Sequence, residues 1–188
     1  MNKVLTNIPN ILSFYRLLSF PFLLWIAIAG NERLFAILLV INLVTDVLDG
    51  LIARVFNLQT EFGARLDSIA DVGTYILAIT GIAIFKVEEF SPHFISFSVF
   101  LGLFFLSNLI SLIKFHRFPS LHLYSWKIGG YIQGLFYVLL FISDFYTTFY
   151  YFMISWGIVA FCEHIVIQLI IPEMKSNARG LYWVLKDR

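Results

Sequence analysis

Charge is scarce in this chain: 13% of its 188 residues are Asp, Glu, Lys or Arg, where soluble domains carry about 25%. Cysteine is scarcer still. The single Cys162 excludes an internal disulfide framework and a cysteine-rich metal centre. The formal net charge is +1, so no global field points to nucleic acid or to a strongly acidic partner. No Pro/Gly/Ser-rich linker and no fixed-period repeat interrupts the chain, so residues 1–188 read as one domain.

What fills the sequence instead is apolar: 60% hydrophobic residues, with 18% aromatic. A soluble domain of about 150 residues still exposes about 30% of the surface its unfolded chain exposes, too much for this composition to keep from water. Disordered chains are poor in aromatics and rich in charge, so disorder is excluded too. The expected fold class is an all-α integral membrane protein.

A bilayer core about 30 Å thick needs about 20 apolar residues per helix. Six spans are expected in a single bundle: Ile8–Ala29, Leu34–Phe56, Gly63–Phe85, Phe94–Phe115, Trp126–Ile142 and Phe145–Ile171. Ala27-Ile28-Ala29 imitates a signal-peptide cleavage site. Arg16 interrupts the apolar run before it, so a retained first span is expected. With the amino terminus inside, Arg33 and Lys86 alone of the 13 lysines and arginines fall outside. The positive-inside rule therefore places both termini in the cytoplasm. Residues 172–188 mix Leu181, Tyr182, Trp183 and Leu185 with four basic residues. That pattern suits either a segment lying on an anionic leaflet or a frayed basic end.

Acidic residues inside spans are costly and point to function. Asp46 and Asp49 lie about 60° apart on a helical wheel, and Asp67 and Asp71 about 40° apart, so each pair shares a face. A short connection joins the two helices, which lets the faces meet. Four converging carboxylates cannot all stay ionised without a cation. Oxygen ligands favour magnesium, manganese or calcium over zinc. Pairing with Arg54 and Arg65 is the bland alternative, but two arginines do not neutralise four aspartates plus Glu61. An ion or proton path is another; Gly50, Ala53, Gly63, Ala64 and Gly73 argue against it, since they let a ligand or second backbone approach closely.

Asp46-x2-Asp49-Gly50-x2-Ala53-Arg54-x8-Gly63-x3-Asp67-x3-Asp71 matches every fixed position of the motif of the CDP-alcohol phosphatidyltransferases. Ile8-Pro9-Asn10-Ile11-Leu12-Ser13-Phe14-Tyr15-Arg16 resembles the entry to the first helix in the small prokaryotic, CDP-diacylglycerol-using branch, the phosphatidylglycerophosphate synthase-like one. The resemblance implies transfer of a phosphatidyl group from CDP-diacylglycerol to a small polar alcohol, with release of CMP, in phospholipid biosynthesis. It implies a two-metal Mg2+ or Mn2+ site held by Asp46, Asp49, Asp67 and Asp71, clamping the donor's pyrophosphate. Asp71 falls on the family's proposed general base, and Asp67 joins it as a catalytic position. Arg54 would contact the donor phosphates, and Gly50, Ala53 and Gly63 would make room for the nucleotide. Asn10 and Arg16 reach the same cavity on one reading; on the other, Arg16 snorkels to the headgroups. Membrane lipids and a homodimer are the implied partners, nucleic acid is not one, and the expected location is a prokaryotic cytoplasmic membrane with the site facing the cytoplasm.

The acceptor must arrive from water on that side. Lys114, His116, Arg117, His122 and Lys127 are the candidates to select a phosphorylated alcohol, although the positive-inside rule alone would produce the same basic loop. Relatives using glycerol 3-phosphate or inositol phosphate often carry Gly-Lys-x-Lys-Thr near here. This chain reads Ser125-Trp126-Lys127-Ile128-Gly129-Gly130, then Gln133, and lacks the threonine. Glycerol 3-phosphate is the first expectation, with serine, inositol phosphate and phosphatidylglycerol as alternatives. From other classes, a divalent-cation transporter or a non-catalytic CDP-lipid-binding protein would use the same aspartates. Glu163-His164 reads as an interhelical pair or a proton relay, and His93 beside Pro92 as a solvated turn.

Overall fold

The computed structural model describes residues 3–58, 60–116, 123–173 and 180–186, and among them every regular element is helical. Helix packing divides the chain into two compact units, residues 1–90 and 91–188.

The first unit is built from α1 (Lys3–Ile28), α2 (Glu32–Val55), α3 (Glu61–Phe85) and the single turn α4 (Val87–Phe90). α1 turns into α2 through Gly30, whose φ of +77° suits a residue without a Cβ. Asn31 then caps α2, its side chain accepting a hydrogen bond from the Leu34 amide at 3.1 Å. Glu32 in the first turn and Arg54 in the last oppose the helix dipole with the favourable sign. α2 ends where Asn57 enters the left-handed region (φ +53°) and the Leu58 amide reaches back to the Ala53 carbonyl at 2.9 Å. Thr60 caps α3 by accepting from the Gly63 amide at 3.0 Å.

α1 packs along both α2 and α3, which also pack on each other. Leu23, Ile26, Ala27, Phe35, Leu39, Leu77 and Ala78 form the buried core of this unit. At the end remote from the aspartates, Lys86 reaches Glu32 at 2.8 Å and so links the ends of α2 and α3. Down α1, Asn10, Ser13, Arg16 and Ser19 recur every third residue and form a polar row in the mostly apolar stretch that follows Asn7. Ser19 bonds the buried Asn42 of α2 at 3.1 Å; the others line the site described below.

The second unit holds a 3-10 turn (Ser91–His93), α5 (Phe94–Phe115), α6 (Tyr124–Ile142), α7 (Thr147–Ile170) and the short α8 (Leu181–Lys186). α7 packs on α5, α6 and α8. Its buried residues, Tyr150, Met153, Ile154, Gly157, Ala160, Phe161, His164, Ile167 and Gln168, follow the three-and-four spacing of one helical face. Gly157 is small for a reason. A Cβ there would come within 2.2 Å of the Phe100 ring, which is seated against α7.

His93 is half-buried, bonded to the Tyr151 hydroxyl at 2.9 Å and stacked on Phe145. Glu163 ties elements together: its carboxylate accepts from the Ser125 hydroxyl and, at 2.9 Å, from the Leu181 amide that begins α8. His164 bonds Ser107 and Gln168 in the interior of the unit.

Many large apolar side chains lie exposed, among them Trp25, Ile28, Phe94, Ile95 and Val159, as lipid-facing residues do. Among the described residues, five helical stretches are long and apolar enough to cross a membrane. In α3 the continuous run of described side chains is apolar over Ile69–Phe85. The chain is thus an all-helical, multi-pass membrane protein.

Candidate active site

Three helices meet at one charged point. α2 presents Asp46 and Asp49, α3 presents Asp67 and Asp71, and α1 inserts Arg16 between them. Each terminal nitrogen of the guanidinium straddles the two helices. Nη1 donates to Asp46 at 2.5 Å and to Asp71 at 2.9 Å. Nη2 donates to Asp67 at 2.5 Å and to Asp49 at 3.3 Å. The Asp49 carboxylate also accepts from the Ser13 hydroxyl at 3.0 Å.

Burial sorts these groups. The Arg16 side chain is 1% exposed and that of Asp49 4%, while those of Asp46, Asp67 and Asp71 are 38%, 40% and 43% exposed. Among the described residues, one guanidinium against four carboxylates leaves a formal excess of three negative charges, on the side of the three more exposed aspartates. Asp46, Asp49 and Asp67 each offer a carboxylate oxygen, and these oxygens lie within 4.8 Å of one another. An all-oxygen set of this kind fits a hard divalent cation.

The remaining motif residues surround this point. Arg54 turns back on its own helix, its Nε donating to the Gly50 carbonyl at 2.8 Å, and its side chain is exposed. A Cβ on Gly50 would touch the Arg54 Nη2 at 3.4 Å. Gly63 faces the Asn10 carboxamide so closely that a Cβ would stand 2.6 Å from Asn10 Oδ1. Ala53 is half-buried on α2. Among the described residues the counter-ion of the aspartates is therefore Arg16, with Arg54 engaged elsewhere; the side chain of Arg65 lies outside the described residues.

Of the acceptor candidates, Lys114 and Lys127 belong to the second unit, and Arg117 and His122 lie outside the described residues. The Lys114 ammonium donates to the Gln168 and Leu169 carbonyls at 2.8 and 3.0 Å, capping the carboxyl end of α7. Lys127 lies over the Tyr124 ring at 5.8 Å.

Ser13 stands in the segment that resembles the family's first-helix entry, but the sequence reading gave it no role. Its signal is the polar row on α1, where it stands one turn before Arg16.

Fold and site together define a helical membrane protein with an acidic cluster on α2 and α3, closed by Arg16 of α1, of a composition that could hold a cation. Residues 6–165 match the family model for CDP-alcohol phosphatidyltransferase, and the chain belongs to that family. The CDP-diacylglycerol--glycerol-3-phosphate 3-phosphatidyltransferase of Rickettsia typhi is 40% identical over 68 residues, 35% of this chain and 38% of that protein. The enzyme of the same name from Aquifex aeolicus is 31% identical over 86 residues, 46% of this chain and 48% of the relative. Its namesake from Salmonella choleraesuis is 38% identical over 68 residues, 35% of this chain and 37% of the relative. The chain thus spans less than half the length of these curated relatives. No solved structure matches it.

Proposed function

We propose that this protein transfers a phosphatidyl group from CDP-diacylglycerol to glycerol 3-phosphate and releases CMP. The observation that carries the reading is the convergence of all four motif aspartates on one point at the ends of α2 and α3. The names of the relatives support the acceptor. Six crossings, with both termini and the site on the cytoplasmic side of a prokaryotic membrane, are part of the same proposal. So is a homodimer, which the mass of the purified protein in detergent would test.

Asp46, Asp49 and Asp67, joined by Asp71, would hold Mg2+ or Mn2+. When bound, the metal supplies charge neutralisation and polarisation at the donor's pyrophosphate. The protein's own groups do the rest. Asp71 takes the proton of the acceptor hydroxyl as that oxygen bonds to the β-phosphorus, and the bond from that phosphorus to the CMP oxygen breaks. The proton passes from Asp71 to water. The exposed Arg54 pairs with the donor phosphates, and its planar fork suits two oxygens at once. Gly50, Ala53 and Gly63 leave space for the nucleotide, with Asn10 beside it. Lys114, Arg117, His122 and Lys127 remain the proposed acceptor-side cations.

The test is CMP release from CDP-diacylglycerol in detergent with Mg2+ or Mn2+, run in parallel with glycerol 3-phosphate, serine, inositol phosphate and phosphatidylglycerol. Release with glycerol 3-phosphate, abolished by EDTA and by Asp67→Ala, is the expected result. Release with another acceptor alone would keep the chemistry and change the product. Folded protein that binds no CDP would overturn the reading.

A further inference from the structure

Arg16 stands on ground that the metal site needs. Its two terminal nitrogens engage all four aspartates, including the three whose oxygens cluster within 4.8 Å. The guanidinium lies beneath the three exposed carboxylates, itself almost inaccessible to water, so it does not snorkel to a headgroup. Its inner nitrogen, Nε, has no hydrogen-bond partner among the described residues. The side chain is therefore held by its outer fork alone, and rotating it away breaks no hydrogen bonds except those to the aspartates. Asp49 has a second partner in Ser13 and stays oriented when the fork leaves.

We infer that Arg16 is a built-in counter-cation of the four aspartates: it holds them together, competes with divalent ions for them, and yields when the donor's phosphates draw its guanidinium away. The inference rests on the metal-dependent reading above. A cation placed among these oxygens meets the positive guanidinium at contact distance, and like charges there oppose each other. The donor's diphosphate is an anion that an arginine fork matches well. Donor and metal then bind with positive coupling, and linkage requires each to tighten the other by the same factor.

Mn2+ binding to the full chain in detergent, followed by the EPR signal of the free ion, tests this without turnover. Wild type, Arg16→Gln and Arg16→Lys are titrated with and without CDP-diacylglycerol. Removing the guanidinium should tighten Mn2+ binding in the absence of donor by about tenfold or more. Donor should tighten Mn2+ binding to wild type and leave Arg16→Gln nearly unchanged. In EDTA, Arg16→Gln should melt below wild type, and added Mn2+ should recover more of its stability than it adds to wild type.

If Arg16→Gln does not fold, Arg16→Lys carries the test. A lysine point charge spans fewer of the oxygens, so Mn2+ should still bind more tightly than to wild type, with a smaller donor effect. Equal or weaker Mn2+ binding by the variants, with wild type binding normally, overturns the inference and leaves the proposed function standing. Wild type that binds no Mn2+ even with donor present overturns both.

Discussion

Gly63→Ala separates the packing of the site from the stability of the fold. The added Cβ would stand 2.6 Å from Asn10 Oδ1 and 3.0 Å from Thr60 Oγ1, where ordinary contact begins at 3.4 Å. Asn10 must therefore withdraw its carboxamide by about 0.8 Å and Thr60 its hydroxyl by about 0.4 Å. The second movement weakens a helix cap worth about 1 kcal/mol. Replacing a helical glycine by alanine returns up to about 1 kcal/mol. The melting temperature should hence move little. Activity should not be spared, because a misplacement of about 1 Å near reacting groups can cost about 10²-fold.

The assay is kcat/KM for CMP release by wild type, Gly63→Ala, Asn10→Ala and the double variant, with thermal unfolding measured on the same preparations. If Gly63 acts by admitting Asn10, the double variant should be no worse than Asn10→Ala, a strongly non-additive cycle. Additive losses would refute this reasoning and assign the bare face of Gly63 to the substrate itself. An unaltered kcat/KM in Gly63→Ala would refute it too.

Asp71→Asn should still bind Mn2+ through Asp46, Asp49 and Asp67, if more weakly, and lose about 10²–10⁴ in kcat at saturating metal, the range of a general base; near-normal turnover in a metal-binding variant would remove that role. Gly157→Ala should cost about 1–3 kcal/mol of stability through overpacking against Phe100 and cost little in a Phe100→Ala background, read by thermal unfolding of the four proteins. His164→Leu strips the buried Ser107 and Gln168 side chains of a partner, at about 1–3 kcal/mol for each polar group left unsatisfied, and an unchanged melting temperature would refute the estimate. Burial pulls the Lys86 ammonium down, but the hydrogen bond and charge of Glu32, with Glu89 behind it, leave its pKa above the ordinary value. A raised lysine pKa stabilises the fold below the unfolded value of about 10.4 and stops doing so as pH rises through the folded one. The stability gap between wild type and Glu32→Gln should therefore persist at pH 7–9 and close in strong alkali.

Hydropathy located the long helices because lipid contact and helix length impose the same apolar run; Trp126–Ile142 differs from α6 by two residues at one end. It was less informative about α1, which begins at Lys3 and not at Ile8, since polar turns at a helix entrance carry no hydropathy signal. The joint of residues 86–93 reads as a loop by polarity, yet it forms α4 and a 3-10 turn. The convergence of the aspartates was legible from two i, i+3 or i, i+4 pairs facing each other across a short turn. Their counter-ion was not. Arg54 and Arg65 lie close to the aspartates in sequence, whereas Arg16 arrives on a helix that only tertiary packing brings between α2 and α3. The same holds for Glu163 and His164, adjacent in sequence but drawn into two separate networks on neighbouring faces of α7.

The continuous buried stripe of α7 makes that helix intolerant of changes in length, whatever its tolerance of changes in composition. Inserting one residue after Gly157 would rotate everything beyond it by 100°. Ala160, Phe161, His164, Ile167 and Gln168 would leave the interior together, and Glu163 would lose its aim at the start of α8. Single substitutions at the exposed Val159, Val166 or Leu169 disturb none of this. Sequence drift in α7 should therefore run through its lipid-facing positions, while insertions and deletions are confined to the connections on either side.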